Sequence, residues 1–171
     1  NPVSDEAIQN ALSKLVGNHN WEYPIFSSRT VKGKPLFQWF YEGKIAEIKI
    51  PKTKTRIYSA RMLNTRIITS AELLKHITES IARITTVTAE SKKLGNDFRR
   101  TDILAAWKSK LVNVQTYTIV SVEIDAGSGS YMRTFAGKYG ELLGIPALAF
   151  SITRTKIGKR RTFLGIPYWF P

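Results

Sequence analysis

The sequence predicts an α+β fold, a mixed or antiparallel sheet flanked by helices. Three stretches carry that expectation. Between Thr118 and Ala126, Val120, Val122, Ile124 and Ala126 fall on one face and Ser121, Glu123 and Asp125 on the other, the period of a half-buried strand. After it, Met132, Phe135, Ala136, Tyr139, Leu142 and Leu143 recur at helical spacing, with Gly144 placed as a left-handed C-cap and Pro146 as a stop. Near the start, Ile8, Ala11, Leu12, Leu15 and Val16 form the apolar stripe of a helix over residues 5–16.

In that first helix Ser4 can cap the start, Asp5 and Glu6 suit the positive end of the dipole, and Gly17 can end it. Residues 18–26 read as an aromatic-rich loop in which Pro24 keeps Tyr23 extended. The stretch from Ser27 to Phe37 sets Arg29, Lys32 and Lys34 among hydroxyls and a glycine. It reads either as a phosphate-contacting turn or as an ordinary solvated hairpin. Pro35 suits a helix start, and Leu36, Phe37, Trp39 and Phe40 supply apolar mass up to Gly43. Burial is the first reading of these aromatics and base stacking the second.

Residues 45–50 and 56–68 read as two strands broken by Pro51-Lys52-Thr53-Lys54. A helix from Ala71 to about Ile84, capped by Ser70, has Leu74, Ile77, Ile81 and Ile84 in register. Residues 85–100 are less regular, and Thr101 can cap a third helix that puts Leu104, Trp107 and Leu111 on one face. Gly127-Ser128-Gly129-Ser130 is too flexible for an element interior. A short apolar run over 147–152 leads to a basic segment over 154–161. From Lys159 the chain turns basic and then aromatic, at Phe163, Tyr168, Trp169 and Phe170. That end is either a strand tucked back on the core or an exposed aromatic surface. No repeat, low-complexity segment or long linker divides the 171 residues, which read as a single domain.

Composition narrows the chemistry. Hydrophobic residues make up 43% and aromatics 11%, enough for a real core. The absence of cysteine excludes disulfides, thiolate catalysis and cysteine-ligated metal. With only His19 and His76, no histidine-rich metal site is expected, and each is read as solvated or locally hydrogen-bonded. No apolar run approaches the ~20 residues of a membrane span, and no signal-peptide pattern is visible. Against 13 acidic residues stand 26 basic ones, a net charge of +13. Such an excess attracts polyanions, nucleic acid first. An anionic membrane would call for a basic amphipathic helix, and the helices here look core-facing.

No serine-histidine-acid set, phosphate-binding P-loop or dinucleotide fingerprint can be assembled. The Gly127–Ser130 turn before a helix resembles a weak anion-binding nest. Arg133 is more pointed. An arginine in the first turn of a helix gains nothing from the dipole, which calls for a carboxylate or phosphate partner or a salt bridge within the fold. The acids are scattered singly, and Asp125 is expected to be solvated. The residues alone describe a basic α+β domain that binds nucleic acid.

Several blocks together resemble the TruB family of tRNA pseudouridine synthases. They are Ser128-Gly129-Ser130-Tyr131-Met132-Arg133-Thr134-Phe135, Gly140-Glu141-Leu142-Leu143-Gly144, Ala147 and Arg154-Thr155-Lys156-Ile157-Gly158. That family carries a Gly-Thr-Tyr-Ile-Arg block on a strand-to-helix turn, a Leu-Gly soon after and an Arg-Thr-x-Ile-Gly stretch. Upstream, Pro24 and Ser27 to Phe37 match the family's Pro-x-x-Ser-Ala-x-Lys-x-x-Gly-Lys-Pro-Leu-Tyr pattern. The likeness covers most of the chain outside residues 71–113, which look like a helical insertion.

The resemblance implies a partial pseudouridine synthase catalytic domain, from an enzyme that isomerises a T-loop uridine of tRNA without cofactor or metal. By motif position Arg133 matches the arginine that pairs with the catalytic aspartate. Tyr131 matches the tyrosine beside it, and Ile152 the apolar residue lining the base pocket. Ser27, Arg29, Lys32, Lys34, Arg154 and Lys156 are the further substrate-binding candidates. Thr30 stands where the family usually has lysine, Ser130 replaces threonine and Phe37 replaces tyrosine. The family's aspartate lies in a Gly-x-Leu-Asp block upstream of the Pro-x-x-Ser motif, so it is expected to fall outside this chain, as is the RNA-binding PUA domain. The chain is therefore expected to be a fragment of a cytoplasmic, monomeric enzyme that binds the tRNA T-arm, inactive alone and with no membrane contact. The alternative is a non-catalytic RNA-binding module derived from such an enzyme.

Overall fold

The computed structural model describes residues 3–84, 99–113, 115–164 and 166–170. The chain divides into two compact units, one of residues 7–60 with 124–171 and the other of residues 1–6 with 61–123. Among the described residues there are five α-helices, one 3-10 turn and seven strands, an α+β arrangement.

The unit of 7–60 with 124–171 holds most of the buried side chains. Helix α1 (Asp5–Lys14) buries Ile8, Ala11 and Leu12. Leu15 continues that stripe into the core, whereas Val16, expected in it, is exposed. Bonds from Leu15 N to the Leu12 carbonyl and from Val16 N to the Ser13 carbonyl tighten the helix end into i→i+3 geometry. Gly17, at φ 129, then turns the chain into β1 (Gly17–Glu22).

Strand β1 corrects the reading of 18–26 as loop. Its Asn, His and Glu residues carry little strand propensity, yet they alternate: Trp21 is buried, His19 half-buried, and Asn18, Asn20 and Glu22 point outward. Pairing supplies what propensity does not. Strand β4 (Lys52–Thr69) runs antiparallel to β1, from Gly17 opposite Ile57 to Glu22 opposite Lys52. His19 Nε2–H donates to the Leu15 carbonyl at 2.8 Å, and its ring stacks on Trp21 at 4.5 Å, so this histidine is locally hydrogen-bonded.

The expected strand over 45–50 is instead a 3-10 turn, Ile45–Glu47, followed by extended chain. Ile45 and Ile48 are spaced as one helical turn, not as alternate strand positions. Nor do residues 51–54 break a strand. Lys52, Thr53 and Lys54 are already paired with β1, and β4 is continuous for 18 residues. Strand β5 (Thr116–Ala126) completes a three-stranded sheet of order β1-β4-β5.

Thr30–Val31 (β2) and Lys34–Pro35 (β3) form a small hairpin. Its two turn residues both have positive φ, 49° at Lys32 and 77° at Gly33, the left-handed pair that two-residue hairpins favour. Helix α2 (Leu36–Tyr41) starts directly after Pro35, its N-cap, and buries Leu36 completely. Helix α5 (Met132–Leu143) buries Phe135, Tyr139 and Gly140 and ends at Gly144, left-handed at φ 68 as its position predicted. Trp21 meets Phe135 edge-on at 6.4 Å between ring centres. Burial pushes the Tyr139 hydroxyl pKa up. Strands β6 (Lys159–Phe163) and β7 (Ile166–Phe170) pair antiparallel, so the aromatic end is a strand, and Phe163 and Phe170 are exposed on it.

The unit of 1–6 with 61–123 contains α3 (Ser70–Ala82), which packs on α4 (Arg100–Lys110), and the expected 71–113 stretch falls within it. Thr69, not Ser70, caps α3. Its hydroxyl accepts from Glu72 N, and the Glu72 carboxylate accepts from Thr69 N at 2.7 Å, a capping box. Ser70 is buried instead; its hydroxyl donates to the Asn113 carbonyl and accepts from Gln115 N. The backbone and hydroxyl donors of Thr69 lower the Glu72 pKa. Thr69→Ala is expected to cost about 1 kcal/mol in urea unfolding at neutral pH. Because the folded pKa of Glu72 is depressed, its contribution is present above the unfolded value and disappears as pH falls through the folded one. The cost of Thr69→Ala should therefore shrink on acidification, and a pH-independent cost would contradict the box.

Thr101 lies inside α4; the cap position is Arg99, left-handed at φ 56, and Asp102 supplies the first-turn acid. Leu104, Trp107 and Leu111 are half-buried, the face their spacing predicted, and so is Arg100 at the helix start. Arg61 and Glu123 form an exposed salt bridge at 2.7 Å across β4 and β5. The irregular stretch expected at 85–100 lies outside the described residues up to 98.

Candidate functional site

Tyr131 and Arg133 sit where β5 ends, the Gly127–Ser130 turn reverses the chain and α5 begins. The turn is held by the Ser130 hydroxyl, which donates to the Gly127 carbonyl at 2.8 Å, and by Gly129 at φ 83. Gly127 N donates to the Arg56 carbonyl at 2.8 Å, so the turn is pinned to β4 within the same unit. Tyr131 is the N-cap of α5 and makes no side-chain capping bond there. Its ring remains half-buried and meets Tyr23 edge-on at 5.6 Å.

Arg133 is exposed, and its Nη2 donates to the Phe26 carbonyl at 2.8 Å, spanning 107 positions of sequence. No carboxylate lies within ion-pairing distance of it among the described residues. A neutral carbonyl thus orients the guanidinium without cancelling its charge, and most of its five N–H donors remain available for an anion. Phe26 is fixed in turn by edge-on contacts with Phe40 at 4.9 Å and Tyr41 at 6.0 Å. Arg29 lies 5.2 Å from the centre of the Tyr23 ring. Two segments far apart in sequence therefore build one basic and aromatic cluster from Tyr23, Phe26, Arg29, Tyr131 and Arg133.

The remaining candidates are placed as follows. Ser27 is buried, and its hydroxyl has no hydrogen-bond partner among the described residues. Lys32 is exposed at the tip of the β2–β3 turn. Lys34 pairs with Glu42 and lies 4.7 Å from the Trp39 ring centre, which ties its charge into the hairpin. Its ammonium, with Lys44 nearby, holds the Glu42 carboxyl below the usual range. Ile152, Arg154 and Lys156 are exposed on an irregular segment. Asp125, expected to be solvated, is half-buried, because the face it shares with Ser121 is partly covered. Sequence reasoning passed over Tyr23 and Phe26 as neighbours of Arg133; their one signal was an aromatic pair beside Pro24.

No family model matches the chain. Among curated proteins, the tRNA pseudouridine synthase B of Listeria monocytogenes serovar 1/2a is 32% identical over 156 residues, covering 91% of this chain and 36% of that protein. Its counterpart in Listeria welshimeri is 28% identical over the same coverage of both chains. The Ligilactobacillus salivarius protein of the same name is 26% identical over 92% of this chain and 37% of its own length. The chain is TruB-like. It spans about a third of the length of the curated relatives it matches. The likeness extends over about nine tenths of the TruB-like chain, so it embraces both segments that meet at Arg133. No described helix is long and apolar enough to cross a membrane.

Proposed function

We propose that this chain is the RNA-binding portion of a tRNA pseudouridine synthase that isomerises a T-loop uridine. The observation that carries the reading is the Tyr23–Phe26–Arg29–Tyr131–Arg133 cluster, where an arginine oriented by the Phe26 carbonyl, with no carboxylate partner among the described residues, joins the paired Tyr23 and Tyr131 rings. In this reading Arg133 keeps a catalytic aspartate ionised, and that aspartate lies outside these 171 residues. An arginine beside a carboxylate lowers its pKa, which preserves the nucleophile at neutral pH. Tyr131 borders the flipped base, Ile152 supplies an apolar wall, and unstacked bases are held by such contacts. Arg29, Lys32, Lys34, Arg154 and Lys156 grip the T-arm, where the +13 net charge favours association. The enzyme acts as a cytoplasmic monomer and uses no cofactor.

The test is pseudouridine formation on a T-arm RNA hairpin by the 171-residue chain, with binding recorded in parallel. Binding without product is expected. Product would mean that the chain holds its own nucleophile, with Asp125 the first residue to replace, and the assigned roles would fall. Absence of binding would overturn the RNA reading itself.

A further inference from the structure

A cleft of about 400 Å³ opens within the unit of 7–60 with 124–171, at the opposite end of the Gly127–Ser130 turn from Arg133. Tyr58 of β4, Gly127 and Ser128 after β5, and Gly158, Lys159 and Arg161 at the start of β6 line it. Two glycines leave backbone open to the cleft, and Ser128 adds an exposed hydroxyl. Its charge has one sign, since no acidic residue lines it. Lys159 and Arg161 occupy alternate positions of one strand and so project to one side. Among the described residues neither meets a carboxylate within ion-pairing distance. Arg161 lies 5.5 Å from the Phe170 ring centre, a contact that holds the guanidinium in place while leaving its charge intact. Arg56 lies 5.1 Å from the centre of the Tyr58 ring.

A planar guanidinium fork and an ammonium converging on open backbone suit the two non-bridging oxygens of a phosphodiester. We propose that this cleft binds a backbone phosphate of an RNA strand whose neighbouring nucleotide lies at the Tyr131–Arg133 cluster. The inference rests on the RNA-binding reading above and adds a second, separate contact to it. The short turn between the two places makes them neighbours along one strand.

Two measurements test it, on the whole chain. In an amide shift titration with the dinucleotide UpU, which carries one phosphodiester, Gly127, Ser128 and Gly158 are expected to move. A Lys159→Ala/Arg161→Ala variant, changed only at exposed side chains, should lose those shifts. With T-arm RNA, the same variant should bind more weakly, and the slope of log K against log salt should flatten by about 0.7–0.9, one phosphate contact's worth. An unchanged slope in a variant that binds like the parent would overturn the cleft while leaving the proposed function standing. Shifts with UpU but no effect on T-arm RNA would make it a small-ligand site and overturn the strand assignment. A parent chain that binds no RNA would overturn both readings.

Discussion

Arg133→Ala is expected to lower pseudouridine formation by the protein that carries this chain by roughly 10³-fold, at the upper end of what one preorganised charged donor contributes. Affinity for T-arm RNA should change little. The reason lies in the geometry. The guanidinium spends one donor on the Phe26 carbonyl, which fixes its direction, and keeps its charge for a partner. Removing it takes nothing from the core, because the side chain is exposed, but in the proposed reading it leaves the catalytic carboxylate without its counter-ion beside the Tyr23 and Tyr131 rings. Such a carboxylate's pKa rises, and the loss of turnover should be partly relieved at higher pH. Arg133→Lys should recover less than its charge suggests, since an ammonium cannot bond the Phe26 carbonyl and present a planar fork at once. Equal losses of binding and turnover would show instead that Arg133 is one more RNA contact. A pH-independent loss would argue against a carboxylate partner.

The second large effect concerns stability. Gly140→Ala is expected to destabilise the chain by about 3 kcal/mol, the upper range for overpacking. A Cβ built on Gly140 would lie 2.5 Å from the Ile145 carbonyl oxygen, 2.7 Å from Ala147 N and 2.8 Å from the Ala147 Cβ. Two of those atoms are backbone, so no side chain can swing aside. The approach is part of the helix end, where Ile145 N donates to the Gly140 carbonyl at 3.1 Å. An added methyl must push the segment that leads to Ile152 away from α5. Urea unfolding should show a lower midpoint with an unchanged slope, because the surface exposed on unfolding is nearly the same. A cost below about 0.5 kcal/mol would mean that the segment yields freely and does not hold Ile152 in place. RNA binding by the folded variant should report the same displacement.

Gly140 also shows what a sequence hides. Its place in the Gly-Glu-Leu-Leu-Gly block was visible, but the helical pattern gives no reason for a glycine there. The reason is the loop that returns over it. Arg133 is a parallel case. Its position at the wrong end of a dipole marked it as a residue seeking an anion, yet its actual contact, Phe26, lies 107 positions away. The Tyr23 ring that borders Tyr131 could not be told from any other loop aromatic until the chain was folded.

The strands divide the same way. β5 was legible because Val120, Val122 and Ile124 carry both the propensity and the period. β1 was not, because Asn18, His19 and Asn20 form a strand only by pairing with Arg56, Thr55 and Lys54. That pairing also carries β4 through residues 52–54, where Pro51 and the two lysines after it suggested a break. Ser70, the expected cap, lost the role to Thr69 because the chain at Asn113 and Gln115 claims its hydroxyl.

By itself the sequence determined the α+β class, the helices α1, α3, α4 and α5 to within a few residues, the basic charge and the likeness to a pseudouridine synthase. These follow from local period, capping chemistry and composition, all of which act over a few residues or over the whole sum. Only the tertiary structure decided that β1 is a strand, that Asp125 is half-buried, and that Tyr23 and Phe26 stand beside Arg133. It also decided that Lys159 and Arg161 face a glycine turn across a cleft. Each of those depends on contacts between residues distant in sequence, whose energy exists only once the chain has closed on itself.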